Sequence, residues 1–117
     1  MKVIIAGSRD GVWKELVSTA AIRSGFTITQ VVSGTARGVD RWGEEYAAEH
    51  GIDVKQFPAD WLTFGKGAGY VRNEDMADYA DALIAVWNGE SRGTKHMIEQ
   101  MKERNKPVYI YNVKDLT

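Results

Sequence analysis

The 117-residue sequence contains no cysteine. Disulfides and thiolate metal sites are therefore excluded. It has only two histidines, His50 and His96, which lie far apart and match no metal-ligand spacing. Nothing in the sequence calls for a metal or another cofactor. No apolar run approaches the roughly 20 residues that a membrane helix needs. The apolar stretch near the start, Lys2–Ala6, is too short for a signal peptide and has no cleavage region behind it. A soluble cytoplasmic protein with no membrane partner is expected. There is no excess of either charge, and the net value is -1. A general electrostatic grip on nucleic acid is not indicated, although a local basic patch remains compatible with that balance. Repeats, linkers and low-complexity tracts are also missing. What remains is ordinary globular composition, 44% hydrophobic and 26% charged. The length suffices for one compact domain, expected over 1–117, and is too short for two.

Short apolar runs alternate with stretches of helical spacing. Val3–Ala6 reads as a strand buried on both faces and ended by Gly7. Asp10 is a plausible N-cap for a helix with Val12, Leu16, Val17, Ala20 and Ala21 on one face, stopped at Gly25. Ile28–Val32 is the second strand. Val39, Trp42, Tyr46 and Ala47 mark the next helix, ended by Gly51, and Ile52–Phe57 the third strand. Residues 59–69 read as a long glycine-bearing loop. It is either packed by its own Trp61 and Phe64 or is a lid over a ligand. Tyr70–Tyr79 reads as a helix, Ala82–Trp87 as a strand, Met97, Ile98 and Met101 as a helical face, and Val108–Tyr111 as the last strand. This alternation implies an α/β, Rossmann-like three-layer sandwich with a parallel sheet of about five strands. Trp42 and Trp87 are expected in the core.

In such a sheet the strand-to-helix loops share one edge, beyond the strands' carboxyl ends, and ligands bind there. Three loops of similar chemistry fall at that edge: Gly7-Ser8-Arg9-Asp10, Ser33-Gly34-Thr35-Ala36-Arg37-Gly38, and Asn88-Gly89-Glu90-Ser91-Arg92-Gly93-Thr94. Each combines glycine for close backbone approach, a hydroxyl donor and an arginine. The second loop opens a helix, whose N-terminus is a ready site for phosphate. Asp40 is expected as a first-turn residue stabilised by the helix dipole, with a grip on a ribose hydroxyl as the alternative. Trp61 belongs either to the core or to a base-stacking surface. Arg72 opens the third helix, and Asn73 follows it. His50 and His96 read as surface or helix-end residues. Together these features point to binding of a nucleotide or nucleotide-derived ligand.

Ser33-Gly34-Thr35-Ala36-Arg37-Gly38-Val39-Asp40 resembles the SG-x-ARG-[IV]-D signature of the DNA-processing protein A (DprA) family, and Arg72-Asn73 resembles that family's RN pair. A fuller resemblance is to the YspA-type branch of the SLOG superfamily, small Rossmann-like domains common in bacteria and phages. It runs through Gly7-Ser8-Arg9, the 33–40 loop, Phe57-Pro58-Ala59-Asp60-Trp61, Gly65–Gly69, Arg72–Met76 and Gly89–Thr94. That resemblance implies a Rossmann-like fold and a nucleotide pocket whose glycine loops carry the phosphate contacts. The superfamily's Lonely-guy phosphoribohydrolases use a PGG-x-GT-x-x-E motif. Here Gly93-Thr94 is present, but the third residue after Thr94 is Met97 and the next carboxylate is Glu99. Two extra residues rotate a helical side chain by about 200°, so Glu99 is expected to face away from the position of that glutamate.

Three readings follow. The first is a binding or sensing module for a nucleotide derivative, with contacts from Gly7, Ser8, Arg9, Ser33, Gly34, Thr35, Arg37, Gly38, Asp40, Arg72, Asn73, Gly89, Ser91, Arg92, Gly93 and Thr94. The second is a nucleotide N-glycosidase, which needs a carboxylate near the sugar C1 and for which no catalytic residue stands out. The third is single-stranded DNA binding of the DprA kind, which the charge balance and the lack of an aromatic–basic strip disfavour. Tyr109 and Tyr111 near the last strand leave room for a homodimer.

Overall fold

In a computed structural model, the structure describes residues 1–113; the last four positions of the expected 1–117 domain lie outside the described residues. The chain forms β1 (Lys2–Gly7), α1 (Lys14–Ser24), β2 (Gln30–Ser33), α2 (Val39–Glu49), β3 (Asp53–Gln56), α3 (Trp61–Phe64), a 3-10 turn (Gly65–Gly67), α4 (Ala68–Tyr79), β4 (Ala82–Trp87), α5 (Arg92–Glu103) and β5 (Val108–Asn112). The five strands form one sheet in the order β3-β2-β1-β4-β5, and every pairing is parallel. Among the described residues no helix is long and apolar enough to cross a membrane.

The pleat explains the apolar runs. Successive strand residues point to opposite faces, and both faces of the central strands are covered. Val3, Ile5, Val31, Ile84 and Val86 meet Leu16, Val17 and Ala20 of α1 and Val39 and Ala47 of α2 on one side. Ile4, Ala6, Val32, Leu83 and Ala85 meet Met76 and Ala77 of α4 and Met97, Ile98 and Met101 of α5 on the other. This is the expected three-layer α/β sandwich. Trp42 and Trp87, expected in the core, are half-buried at the margins of these two clusters.

Several boundaries differ from the sequence reading. Asp10 does not cap α1. The helix starts four residues later, behind the extended Trp13 and without a side-chain cap. Val12 precedes the helix and packs against the core from the loop. The third strand is shorter than Ile52–Phe57, and all four of its residues are exposed, because it is an edge strand rather than a doubly covered one. The segment expected as a loop over 59–69 is largely helical. Asp60 accepts a hydrogen bond from the Thr63 N–H at 3.1 Å and starts α3, and α4 begins at Ala68 rather than Tyr70. The signal was an Asx cap followed by glycines, which in sequence reads as a turn.

One packing contact is tight enough to test. Gly43 of α2 lies against the Ile5 side chain of β1, and a Cβ there would stand 2.9 Å from Ile5 Cβ. Gly43→Leu should therefore overpack this layer and cost about 1–3 kcal/mol, read as a lower urea midpoint with an unchanged slope.

Candidate functional site

The strand order places β1 between β2 and β4. The chain leaves β1 toward one side for β2 and β3, then crosses back through α3 and α4 to enter β4. The loops after β1 and β4 diverge over opposite sides of the sheet, and a crevice opens between them. Three adjoining cavities occupy this edge, of about 60, 300 and 180 Å³. Arg9, from the loop after β1, and Arg72, from α4, line all three. The Arg9 guanidinium makes no side-chain hydrogen bond or ion pair with any described residue. Arg72 is held in place: Nη1 donates to the Gly34 carbonyl and Nε to Asn73 Oδ1 at 3.1 Å. Asn73 in turn donates from Nδ2 to the Gly93 carbonyl at 3.1 Å and lies 3.1 Å from His96 Nδ1. Asn73 thus ties α4 to the start of α5.

The charge balance at the centre is set by one buried acid. Asp40, in the first turn of α2, is 7% exposed and lines the smallest cavity. Its Oδ2 accepts the Ala36 N–H at 3.2 Å. Burial pushes its carboxyl up to about 6, against the pull of that N–H and of the Arg72 and Arg9 charges. Burial likewise lowers the Arg72 pKa, with Asp40 opposing the shift. The backbone donors of the 33–40 loop are largely used within the protein. Thr35 N–H donates to Ser33 Oγ at 3.1 Å, Ala36 N–H to Asp40, and Val39 N–H to the Ser8 carbonyl at 3.2 Å. The phosphate cradle expected at this helix N-terminus is therefore answered in part by Asp40 itself. The cationic lining comes from Arg9, Arg72, Arg37 and Lys66. Thr35 sits at φ +65°, a conformation that costs a non-glycine residue about 1 kcal/mol.

Of the residues proposed from sequence, the structure brings Gly7, Arg9, Gly34, Thr35, Arg37, Asp40, Arg72, Asn73, Ser91, Gly93 and Thr94 to these cavities. Five others it uses differently. Ser8 is buried and its hydroxyl accepts the Asn88 N–H at 3.1 Å. Ser33 is buried and donates to Glu44 Oε2 at 2.6 Å. Gly38, at φ +79°, packs on the loop after β1; a Cβ there would lie 2.5 Å from the Ser8 carbonyl oxygen, so glycine is required for both reasons. Gly89 is exposed in the turn before α5, and Arg92 is exposed as the first residue of that helix. Arg37 reaches the cavity wall but is exposed and paired with Asp10 at 3.1 Å. Its Asp10 partner was read as a helix cap.

The expected departure from the Lonely-guy pattern is visible in the packing. Met97 lines the smallest cavity, whereas Glu99 is exposed. Of the described residues that line these cavities, Asp40, in the smallest, is the one carboxylate. Among the described residues no cluster of three or more His, Asp or Glu stands ready for a metal. Lys66 and Tyr70 also line the site and are not singled out by the sequence: Lys66 falls in the expected 59–69 loop, and Tyr70 is the first residue of the expected helix, where nothing local marks it as facing a cavity. His96 was read as an ordinary helix residue. It lies beside Asn73 and packs its ring edgewise on Tyr70, with centroids 4.5 Å apart. Residues i and i+3 of neighbouring helices carry no local pattern that would have paired them.

The buried acid gives a pH-dependent prediction. A carboxyl whose folded pKa lies above its unfolded value of 3.8 destabilises the fold once it ionises, so its cost is absent below about pH 4 and complete above about pH 6. Asp40→Asn keeps an acceptor for the Ala36 N–H and removes the ionisation. Its stability relative to the unmodified protein should rise across that window by at most about 3 kcal/mol, then level off. Urea unfolding of both proteins at several pH values measures the difference.

Comparisons with known proteins agree with this architecture. The family model described as the YspA, cpYpsA-related SLOG family matches residues 1–64. The Gene 61 protein of Mycobacterium phage D29 is 33% identical over 125 residues, covering 97% of this chain and 98% of that protein. Among solved structures, DNA processing protein A (DprA) from Streptococcus pneumoniae superposes with a TM-score of 0.74 at 18% identity, over 93% of this chain. The chain spans about half the length of that DprA chain, 49%. At that identity the likeness speaks for the Rossmann-like fold. The sequence matches go further: the chain belongs to the YspA, cpYpsA-related SLOG family.

Proposed function

We propose that the protein binds a nucleotide or nucleotide-derived ligand at the carboxyl edge of its sheet. The observation that carries this reading is the pair Arg9 and Arg72, which lines three adjoining cavities at the point where the strand order reverses. Guanidinium groups match phosphate oxygens through their planar fork, and among the described residues Arg9 has no side-chain hydrogen bond to give up. The N-terminus of α5, a helix of 12 residues, opens on the same crevice through Ser91, Gly93 and Thr94 and adds a favourable dipole for an anion. The 300 Å³ cavity lies at the lower end of the size range of small-ligand sites. At the level of the family, SLOG membership and the DprA-like fold support a nucleotide-related or DNA-processing role.

Binding without turnover is favoured by the acid inventory. Glycoside cleavage ordinarily uses two carboxyl groups flanking the bond. Asp40 stands alone among the lining residues, and one of its oxygens is already held by Ala36. DNA binding has less support, because the net charge is -1 and the guanidiniums line cavities rather than an open strip.

The test is a melting and calorimetric screen against nucleoside monophosphates, ADP-ribose, NAD and cyclic dinucleotides, followed by chromatography for free base. At least one compound should raise the melting temperature and be recovered intact. Arg9→Ala should weaken that compound at least about tenfold, in line with a lost charged hydrogen bond, without lowering the stability of the free protein. Arg37→Ala should cost less, since that side chain is exposed and already paired with Asp10. Absence of any shift, or unchanged affinity in Arg9→Ala, would overturn the assignment, and released base would replace it with the hydrolase.

A further inference from the structure

We infer that Trp61 and Tyr70 form a stacking platform for the ligand's planar base, so that the site recognises a base as well as a phosphate. This rests on the nucleotide reading above and extends it to two residues outside the glycine loops. Both rings are exposed, Trp61 at 58% and Tyr70 at 47%. Both line the 180 Å³ cavity, together with Lys66 and the Arg9 and Arg72 guanidiniums. Trp61 also walls the 300 Å³ cavity beside the same two arginines. One aromatic face is therefore shared by two compartments whose other common walls are cationic. A phosphate alone has no use for two large rings. A ligand that carries an anion and a π-face fits both kinds of wall, because aromatic surfaces gain most from stacking and from burial of their large area.

The platform is held from below. The Tyr70 ring packs edgewise on His96, with an interplanar angle of 77°. His96 is fixed through Nδ1 by Asn73 Nδ2, which also holds the Gly93 carbonyl. Arg72 bonds to the same Asn73 through Nε, so the second ring and the central guanidinium share one support. Trp61 is set by the Asp60 cap at the start of α3. Leu62 and Phe64 of that short helix are exposed as well, but neither lines the cavities described. The arrangement therefore selects two rings out of an exposed apolar segment.

The experiment compares AMP, GMP, CMP and UMP with ribose 5-phosphate, which keeps the sugar and phosphate and lacks the base. Binding to the intact protein, Trp61→Ala and Trp61→Phe is measured by calorimetry. At least one nucleoside monophosphate should bind about tenfold or more tighter than ribose 5-phosphate, a factor within the range for one stacked base. Trp61→Ala should remove that advantage, lowering nucleotide affinity by a much larger factor than ribose 5-phosphate affinity, and Trp61→Phe should restore most of it. Equal binding of ribose 5-phosphate and the nucleotides, or a Trp61→Ala loss of the same factor for both, overturns the platform while the phosphate reading stands. If only single-stranded oligothymidylate binds, and Trp61→Ala abolishes it, the rings belong to a strand surface and the platform is overturned. If none of these probes binds, the platform is overturned, and the nucleotide reading is decided separately by the wider screen with ADP-ribose, NAD and cyclic dinucleotides.

Discussion

Ser8 is the knot on which the arrangement depends. Its N–H donates to the Val86 carbonyl at 3.1 Å, at the end of the neighbouring strand. Its carbonyl accepts from Val39, the first residue of α2. Its hydroxyl accepts from Asn88, in the loop after β4. One buried residue therefore fixes three segments that are far apart in sequence and whose mutual position defines the crevice. Gly38 completes the joint, because only a residue without Cβ fits against the Ser8 carbonyl at that backbone angle. Serine next to glycine in the first loop resembles ligand-binding chemistry in sequence. In the structure it is the fastening that lets Arg9, the next residue, project into the cavities.

The central charges work against stability and for recognition. An acid and a guanidinium are held away from water at the same crevice, and burial shifts each toward its neutral form. Hydrophobic residues in their place would raise stability more readily than this pair does. Their position beside Arg9 fits a site organised in advance of its ligand, with Asp40 offsetting part of the positive charge of the two guanidiniums.

The sandwich was legible because its central strands β1 and β4 are short, doubly covered and almost purely apolar. Val3–Ala6 and Ala82–Trp87 needed no alignment to be read as central strands, and the periodic apolar positions of α2 and α5 marked the layers above and below. The three loops were legible because strand-to-helix connections must share an edge in a parallel sheet. Individual roles within those loops were not. Whether a serine turns outward to a ligand or inward to a neighbouring backbone depends on contacts made across the chain. Ser8 and Asn88 are such a pair, and Ser33 and Glu44 are another. The 59–69 segment was misread for a local reason. Its glycines signal turns, and a 3-10 turn between two helices uses them as such, so the same residues that form the turn also concealed the helices on either side. Asn73 was noticed for its place after Arg72, but its function as a brace to His96 spans two helices and has no signature in the order of residues.

The strand β3 hydrogen-bonds on one side only, to β2, and all four of its residues are exposed. The segment bearing Trp61 begins just beyond its end. Local opening events draw on the free energy of the elements they disrupt rather than on that of the whole fold. Amide protons of β3 and α3 should therefore exchange with solvent through small fluctuations, while those of β1 and β4 exchange only through global unfolding. Trp61 therefore sits beside the exposed edge strand of the sheet, while Ser8 fastens the loops at the crevice's centre.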